Sequence, residues 1–222
     1  RPECLENSVT QSAAATNPVL ARSFERAWHG IGAEASGAAL FDELLAAYAE
    51  PHRRYHTLQH LVECLQGFET VRALAQRPAE VELALWFHDA VYALQRGDNE
   101  AQSADWARRA LSAAAVPAPA IQRVQELVMV TRHRGLPEPG DQQLLVDIDL
   151  SILGASGARF SEYERQIRDE YGFVPDELFR HKRREILSAF LDRPRLYGSA
   201  HFHQALEARA RENLRCAVVA LD

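Results

Sequence analysis

Six side chains in three short stretches have the types that hold divalent cations or carry protons. Tyr55-His-Thr-Leu-Gln-His60 offers His56 and His60, Trp86-Phe-His-Asp-Ala-Val-Tyr92 offers His88 and Asp89, and Asp147-Ile-Asp149 offers two carboxylates. Neutral imidazoles supply firm nitrogen bonds and carboxylates neutralise an ion's charge, so two of each suit Mn²⁺, Fe²⁺ or Zn²⁺. Four such ligands on a six-coordinate ion leave positions for water and a phosphate oxygen, as hydrolysis at a metal requires. A His-Asp pair by itself occurs by chance. Here it follows the apolar Leu83-Ala-Leu-Trp-Phe87, and Asp149 lies among Leu144, Leu145, Val146, Ile148 and Leu150. Charged groups in such surroundings are seldom buried without a partner or an ion.

The elements that must position these groups read as helices. Asn17-Pro18 is an N-cap followed by proline at the first helical position, and Leu20, Phe24 and Trp28 continue as one apolar stripe. A second helix carries Leu40, Phe41, Leu44, Leu45 and Tyr48 and ends before Pro51. Thr57 caps a third, with Leu58, Leu61, Val62, Leu65, Phe68 and Val71 as its stripe. The fourth runs from about Ala79 to His88. Asp98 or Asn99 caps a fifth, and Ile121, Val124, Leu127 and Val128 mark a sixth. The alternation in Leu144 to Leu153 would also suit a strand, but no second strand is available to pair with it, so it too is assigned to helix. Later stripes run through Tyr163, Ile167 and Tyr171, then Phe179, Ile186, Leu187 and Phe190, then Phe202, Leu206 and Leu214. The expectation is an all-α fold: residues 1–16 flexible, then one helical bundle of about nine or ten helices over 17–222.

Composition narrows the function classes. The chain has 222 residues, 47% of them hydrophobic and 25% charged, as in an ordinary globular protein. Its net charge of -6 disfavours long nucleic acid, whereas a small anion needs only a few local arginines. No apolar run approaches the length needed to cross a bilayer. The three cysteines, Cys4, Cys64 and Cys216, form no framework and fit a reducing, cytoplasmic setting. Cys64, four residues after His60, reads as a small core residue.

The order His60, then His88-Asp89, then a late aspartate resembles the H…HD…D signature of the HD superfamily. Within it, Arg54-Tyr-His-Thr-Leu-Gln-His60, Trp86 to Tyr92, Asn99-Glu-Ala-Gln-Ser-Ala104 and Asp147-Ile-Asp-Leu-Ser-Ile-Leu-Gly154 look like the metal-dependent phosphohydrolase subfamily. The resemblance spans roughly residues 20 to 215. It implies His60, His88, Asp89 and Asp149 as metal ligands, with Asp147 as second choice for the last. It also implies hydrolysis of a small phosphomonoester or nucleotide by metal-activated water; a monomer or homodimer is expected. Mn²⁺ is the preferred ion, with Mg²⁺, Fe²⁺, Ni²⁺, Co²⁺ and Zn²⁺ as alternatives. No acidic pair follows the His-Asp and no Gly-Tyr-Pro occurs, so the alarmone-hydrolysing and cyclic-dinucleotide branches are disfavoured. Glu100 is a candidate general base, or else a first-turn glutamate placed for the helix dipole. Arg54, His56, His133 and Arg183 are candidates for contacting phosphate, with Arg53, Arg168 and Lys182 behind them. The alternatives are a non-catalytic metal-containing binding module and an iron oxidase of HD type.

Overall fold

The computed structural model describes residues 17–133 and 135–221. Among them are ten α-helices, two short 3₁₀ turns and no strand, as the apolar periodicity indicates. The opening segment 1–16, with Cys4, lies outside the described residues. The chain forms two compact units, one up to Leu145 and one from Val146 onward. The division falls inside a helix, which is why no linker is visible in the sequence.

The first unit begins with α1 (Pro18–Gly30), where Asn17 accepts a hydrogen bond from the Val19 N–H at 3.0 Å and Leu20, Phe24, Ala27 and Trp28 turn inward. Next come α2 (Ala38–Tyr48), α3 (Leu58–Val71) and α4 (Pro78–Phe87). A four-residue connection joins α5 (Asn99–Ala113) to α6 (Ala118–Val130), and the two pack on each other. The centre of this unit is α4. Every residue from Glu80 to Phe87 is buried, because α1, α3, α5 and α6 all pack against it.

Two of those buried residues are glutamates, and each is matched. Glu82 accepts from the Ser23 hydroxyl at 2.6 Å and from the Arg26 guanidinium at 2.5 and 3.0 Å. Trp86 donates its indole N–H to the same Ser23 oxygen at 3.1 Å. Glu80 forms a two-point pair with Arg123 at 2.6 and 2.7 Å. A buried carboxylate without such partners would be costly.

The chain passes from one unit to the other within α7 (Asp141–Asp149), in which Leu144 to Ile148 are all buried. The segment that alternates in sequence is thus helical, and it tightens into a 3₁₀ turn at Leu150–Gly154. The second unit continues with α8 (Gly157–Glu170), α9 (Asp176–Leu191) and α10 (Ala200–Ala220). Side chains of α10 bind the carbonyls of the 3₁₀ turn: Arg209 donates to Gly154 at 2.5 Å and Asn213 to Leu153 at 2.8 Å. Gly154 is needed there, since a Cβ would stand 2.6 Å from that of Leu206. Glu207 collects the backbone N–H groups of Leu196 and Tyr197. Burial alone would raise the pKa of Glu207, but those amides and Arg211 hold it below the usual value.

Replacing Arg26 by Met leaves the buried Glu82 with the Ser23 hydroxyl as its hydrogen-bond partner but without a countercharge from Arg26. The variant is expected to lose about 3 kcal/mol of unfolding free energy in a urea titration. Combining it with Glu82→Gln should recover more than half of that loss, because the amide carries no charge to strand. A loss below about 0.5 kcal/mol in the single variant would place Glu82 in a solvated setting.

Candidate metal centre

Thr57 starts α3 by accepting from the Gln59 N–H at 3.3 Å. His60 therefore lies in the first turn, on the buried face that also carries Leu61, Cys64 and Leu65. His88 directly follows α4 and is 1% exposed. Its Nδ1 is 2.7 Å from the Leu85 carbonyl oxygen. A carbonyl can only accept, so Nδ1 carries a proton, and Nε2 is the nitrogen whose proton an ion would displace.

That Nε2 is 3.1 Å from Nε2 of His60 and 3.0 Å from Oδ2 of Asp89. The same Asp89 oxygen is 3.4 Å from His60 Nε2. Donors bound to one ion at about 2.1 Å, with angles between right and tetrahedral, stand about 3.0–3.4 Å apart. The three atoms fit that spacing. Desolvation alone would push the Asp89 carboxyl up, but the imidazoles of His88, His56 and His60 hold it well below the usual carboxylate range. Asp89 is thus ionised at neutral pH.

The backbone around the pair is fixed from several sides. Tyr48 donates its hydroxyl to the Trp86 carbonyl at 3.2 Å and accepts from the Asp89 N–H at 3.3 Å. Burial raises the pKa of this phenol, which stays protonated. Arg53, 3% exposed, sends its guanidinium to three carbonyls: His56 at 3.0 Å, Asp89 at 2.6 Å and Ala90 at 3.0 Å. It also pairs with Glu50 and lies over the rings of Tyr48 and Tyr92. Beyond the pair, the Val91 N–H donates to Ser103, and the Asn99 amide both donates to and accepts from the backbone of Ala93 at 3.1 Å.

Two more groups adjoin the donors. His56 stacks on Tyr92 with ring centres 4.1 Å apart, and its ring centre is 5.9 Å from that of His60. Cys64 Sγ is 3.7 Å from both ring nitrogens of His60. His60, Cys64 and His88 offer ligand atoms within 4.8 Å of one another, a group that could hold a metal ion.

The first unit thus brings His56, His60, His88 and Asp89 together. Arg54 is exposed at the surface, whereas its neighbour Arg53 is the buried one. Glu100, in the first turn of α5, faces Arg132 at 3.7 Å. His133 lies three residues beyond the end of α6, in the left-handed conformation with φ 52°. Asp98 occupies the N-cap position of α5 without capping it, because its carboxylate is taken by Arg96 and Gln102.

In the second unit, Asp149 is the half-buried last residue of α7. Asp147 is fully buried and accepts from the N–H groups of Gly198 at 3.0 Å and Ser199 at 2.7 Å, at the start of α10. Arg183 is buried against Glu164 and the ring of Tyr163, so its charge is met inside the unit rather than presented to a phosphate. Arg168 binds the carbonyls of Tyr171 and Val174, and Lys182 pairs with Glu185. No helix among the described residues is long and apolar enough to cross a membrane.

Sequence reasoning offers Arg53 to a phosphate rather than to backbone carbonyls, misses what Tyr48, Asn99 and Ser103 hold in place, and reads Cys64 as core. The helical spacings of Asn99 to Ser103 and of His60 to Cys64 were the available signals. Comparison of the chain with protein-family models, with curated proteins and with solved structures finds no match.

Removing the Arg53 guanidinium should loosen both donor elements at once. Arg53→Met is expected to weaken Zn²⁺ or Mn²⁺ binding about 10- to 100-fold by calorimetric titration, while leaving the helical circular dichroism in place. Unchanged affinity would mean the donors are held without it.

Proposed function

We propose that this chain is a divalent-metal-dependent phosphohydrolase of HD type, acting on a small phosphomonoester or nucleotide. The observation that carries the reading is the triangle of His60 Nε2, His88 Nε2 and Asp89 Oδ2, with sides of 3.0 to 3.4 Å. Such a set occupies one face of an ion and leaves the opposite face for water and substrate. The H…HD…D order adds Asp149 as a further ligand by its position in the sequence. Asp147 gives way to it, since both Asp147 oxygens already serve backbone amides.

Bound to these residues, a divalent ion would polarise a phosphate oxygen and bring the pKa of a water toward neutrality. The protein supplies the positioning. Leu85 fixes the tautomer of His88, Tyr48 and Arg53 fix the backbone of Asp89, and Tyr92 holds the ring of His56 beside the donors. His56 is the residue we assign to the phosphoryl oxygens, where its N–H offsets developing charge. Asp149 orients the water, ahead of Glu100, whose carboxylate faces Arg132. Two imidazoles with carboxylates suit Mn²⁺ first among the candidate ions. The net charge of -6 agrees with a small substrate rather than a polyanion.

A phosphate-release screen over nucleotides and sugar phosphates tests this, run with Mn²⁺, Mg²⁺, Co²⁺, Ni²⁺ and Zn²⁺ in turn. Release is expected with at least one ion and should fall at least about 100-fold in His88→Ala. Release unaffected by that substitution would overturn the assignment.

The two aspartates should also separate cleanly. Asp149→Asn is expected to weaken metal binding about 10- to 100-fold with little change in stability. Asp147→Asn should keep the affinity but cost about 2 kcal/mol of unfolding free energy, since two backbone amides lose a charged, buried acceptor. The reverse pattern would exchange their roles.

A further inference from the structure

We propose that Cys64 is itself a ligand of the metal centre, bound as thiolate, and that it biases the centre toward Zn²⁺, Co²⁺ or Fe²⁺ over Mn²⁺ and Mg²⁺. This rests on the metal reading above and changes the donor set within it.

Burial of Cys64, 1% exposed, says little alone, because a thiol is at home in an apolar core. Its position says more. His60 and Cys64 are one helical turn apart on the same buried face of α3, the spacing at which two side chains of one helix reach a common ion. With metal–nitrogen and metal–sulfur bonds of about 2.1 and 2.3 Å, donors at a tetrahedral angle stand about 3.6 Å apart. Cys64 Sγ stands 3.7 Å from Nε2 of His60 and equally 3.7 Å from Nδ1, so the sulfur reaches that spacing and needs to swing toward the Nε2 side to share an ion with it. His88, just past the end of α4, offers its own donor within 4.8 Å of both. His88 makes the arrangement a converging set rather than a cysteine beside a histidine.

The chemistry of ligation is simple. The sulfur–metal bond forms as the S–H bond breaks, the proton leaves to solvent, and nothing is oxidised or reduced. A thiolate is a soft donor, poorly suited to Mg²⁺ and Mn²⁺ and well suited to Zn²⁺ and Co²⁺. The sulfur therefore alters the order of ion preference that the imidazoles and carboxylates alone would set.

Cobalt reports the bond directly. In the full chain carrying Cys4→Ser and Cys216→Ser, Cys64 is the one remaining thiol. Titrating the metal-free protein with Co²⁺ should give visible d–d bands together with a near-ultraviolet thiolate-to-cobalt charge-transfer band. In Cys64→Ser the charge-transfer band should vanish, with Zn²⁺ affinity falling about tenfold or more and Mn²⁺ affinity hardly changing. Cobalt d–d bands without charge transfer in the single-thiol protein would overturn the role of Cys64 while leaving the metal centre standing. Absence of any cobalt spectrum would overturn both. The decisive measurement uses protein with Cys64 intact, so a folding defect in Cys64→Ser does not blunt it.

Discussion

A helix enclosed on every side must end somewhere, and the polar atoms at its end must find partners within the protein. In the first unit α4 is that helix. Its buried glutamates are met by Arg26, Ser23 and Arg123, and its exit is met by the groups around His88 and Asp89. Glu82 and His88 are almost wholly excluded from water, so contacts made to them are stronger than at a surface and leaving them unmet would cost more. Enclosure thus both forces partners on the His-Asp pair and makes their arrangement specific. The donor atoms converge because the alternative is a carboxylate and an imidazole stranded in a core.

Holding donors in place is a separate task, and Arg53 does most of it. One guanidinium reaches the carbonyl before α3 and two carbonyls after α4, so the segments that carry His60 and Asp89 are fastened to the same planar group. Arginine suits this better than lysine because its five N–H groups have a fixed fork geometry. Donors preset in this way spare an arriving ion the cost of ordering them. Tyr48 does the same on a smaller scale, passing a hydrogen bond from Asp89 through its hydroxyl to Trp86.

Much of this was legible in the sequence. The cap and proline at Asn17-Pro18, the stripe of α3 and the fully apolar exit of α4 all follow from residue type and spacing. The convergence of His60 with the His88-Asp89 pair is instead what the resemblance implied. What stayed hidden depends on the path of the chain in space. Arg53 and Arg54 are neighbours of the same type, yet one is buried and the other exposed, and nothing local distinguishes them. The partners of Arg53 are backbone carbonyls, which leave no mark in an amino-acid string. Arg183 is a basic residue suited to phosphate by type, but Glu164 and Tyr163 from another helix claim it. Asp147 and Asp149 are the same residue two positions apart, yet one is fully buried against backbone amides and the other is half-buried.

The stretch between the His-Asp pair and α5 has a closed base and an open tip. The Asn99 amide ties that helix's first residue back to Ala93, and Ser103 secures Val91, whereas Gln95 to Gly97 are exposed. A ring fastened at its neck isolates what lies above it from what lies below. Extra residues grafted at the tip would therefore enlarge the hoop without moving the histidine and aspartate. This makes Gln95–Gly97 a natural place for chain length to vary, and a practical one for attaching a reporter group.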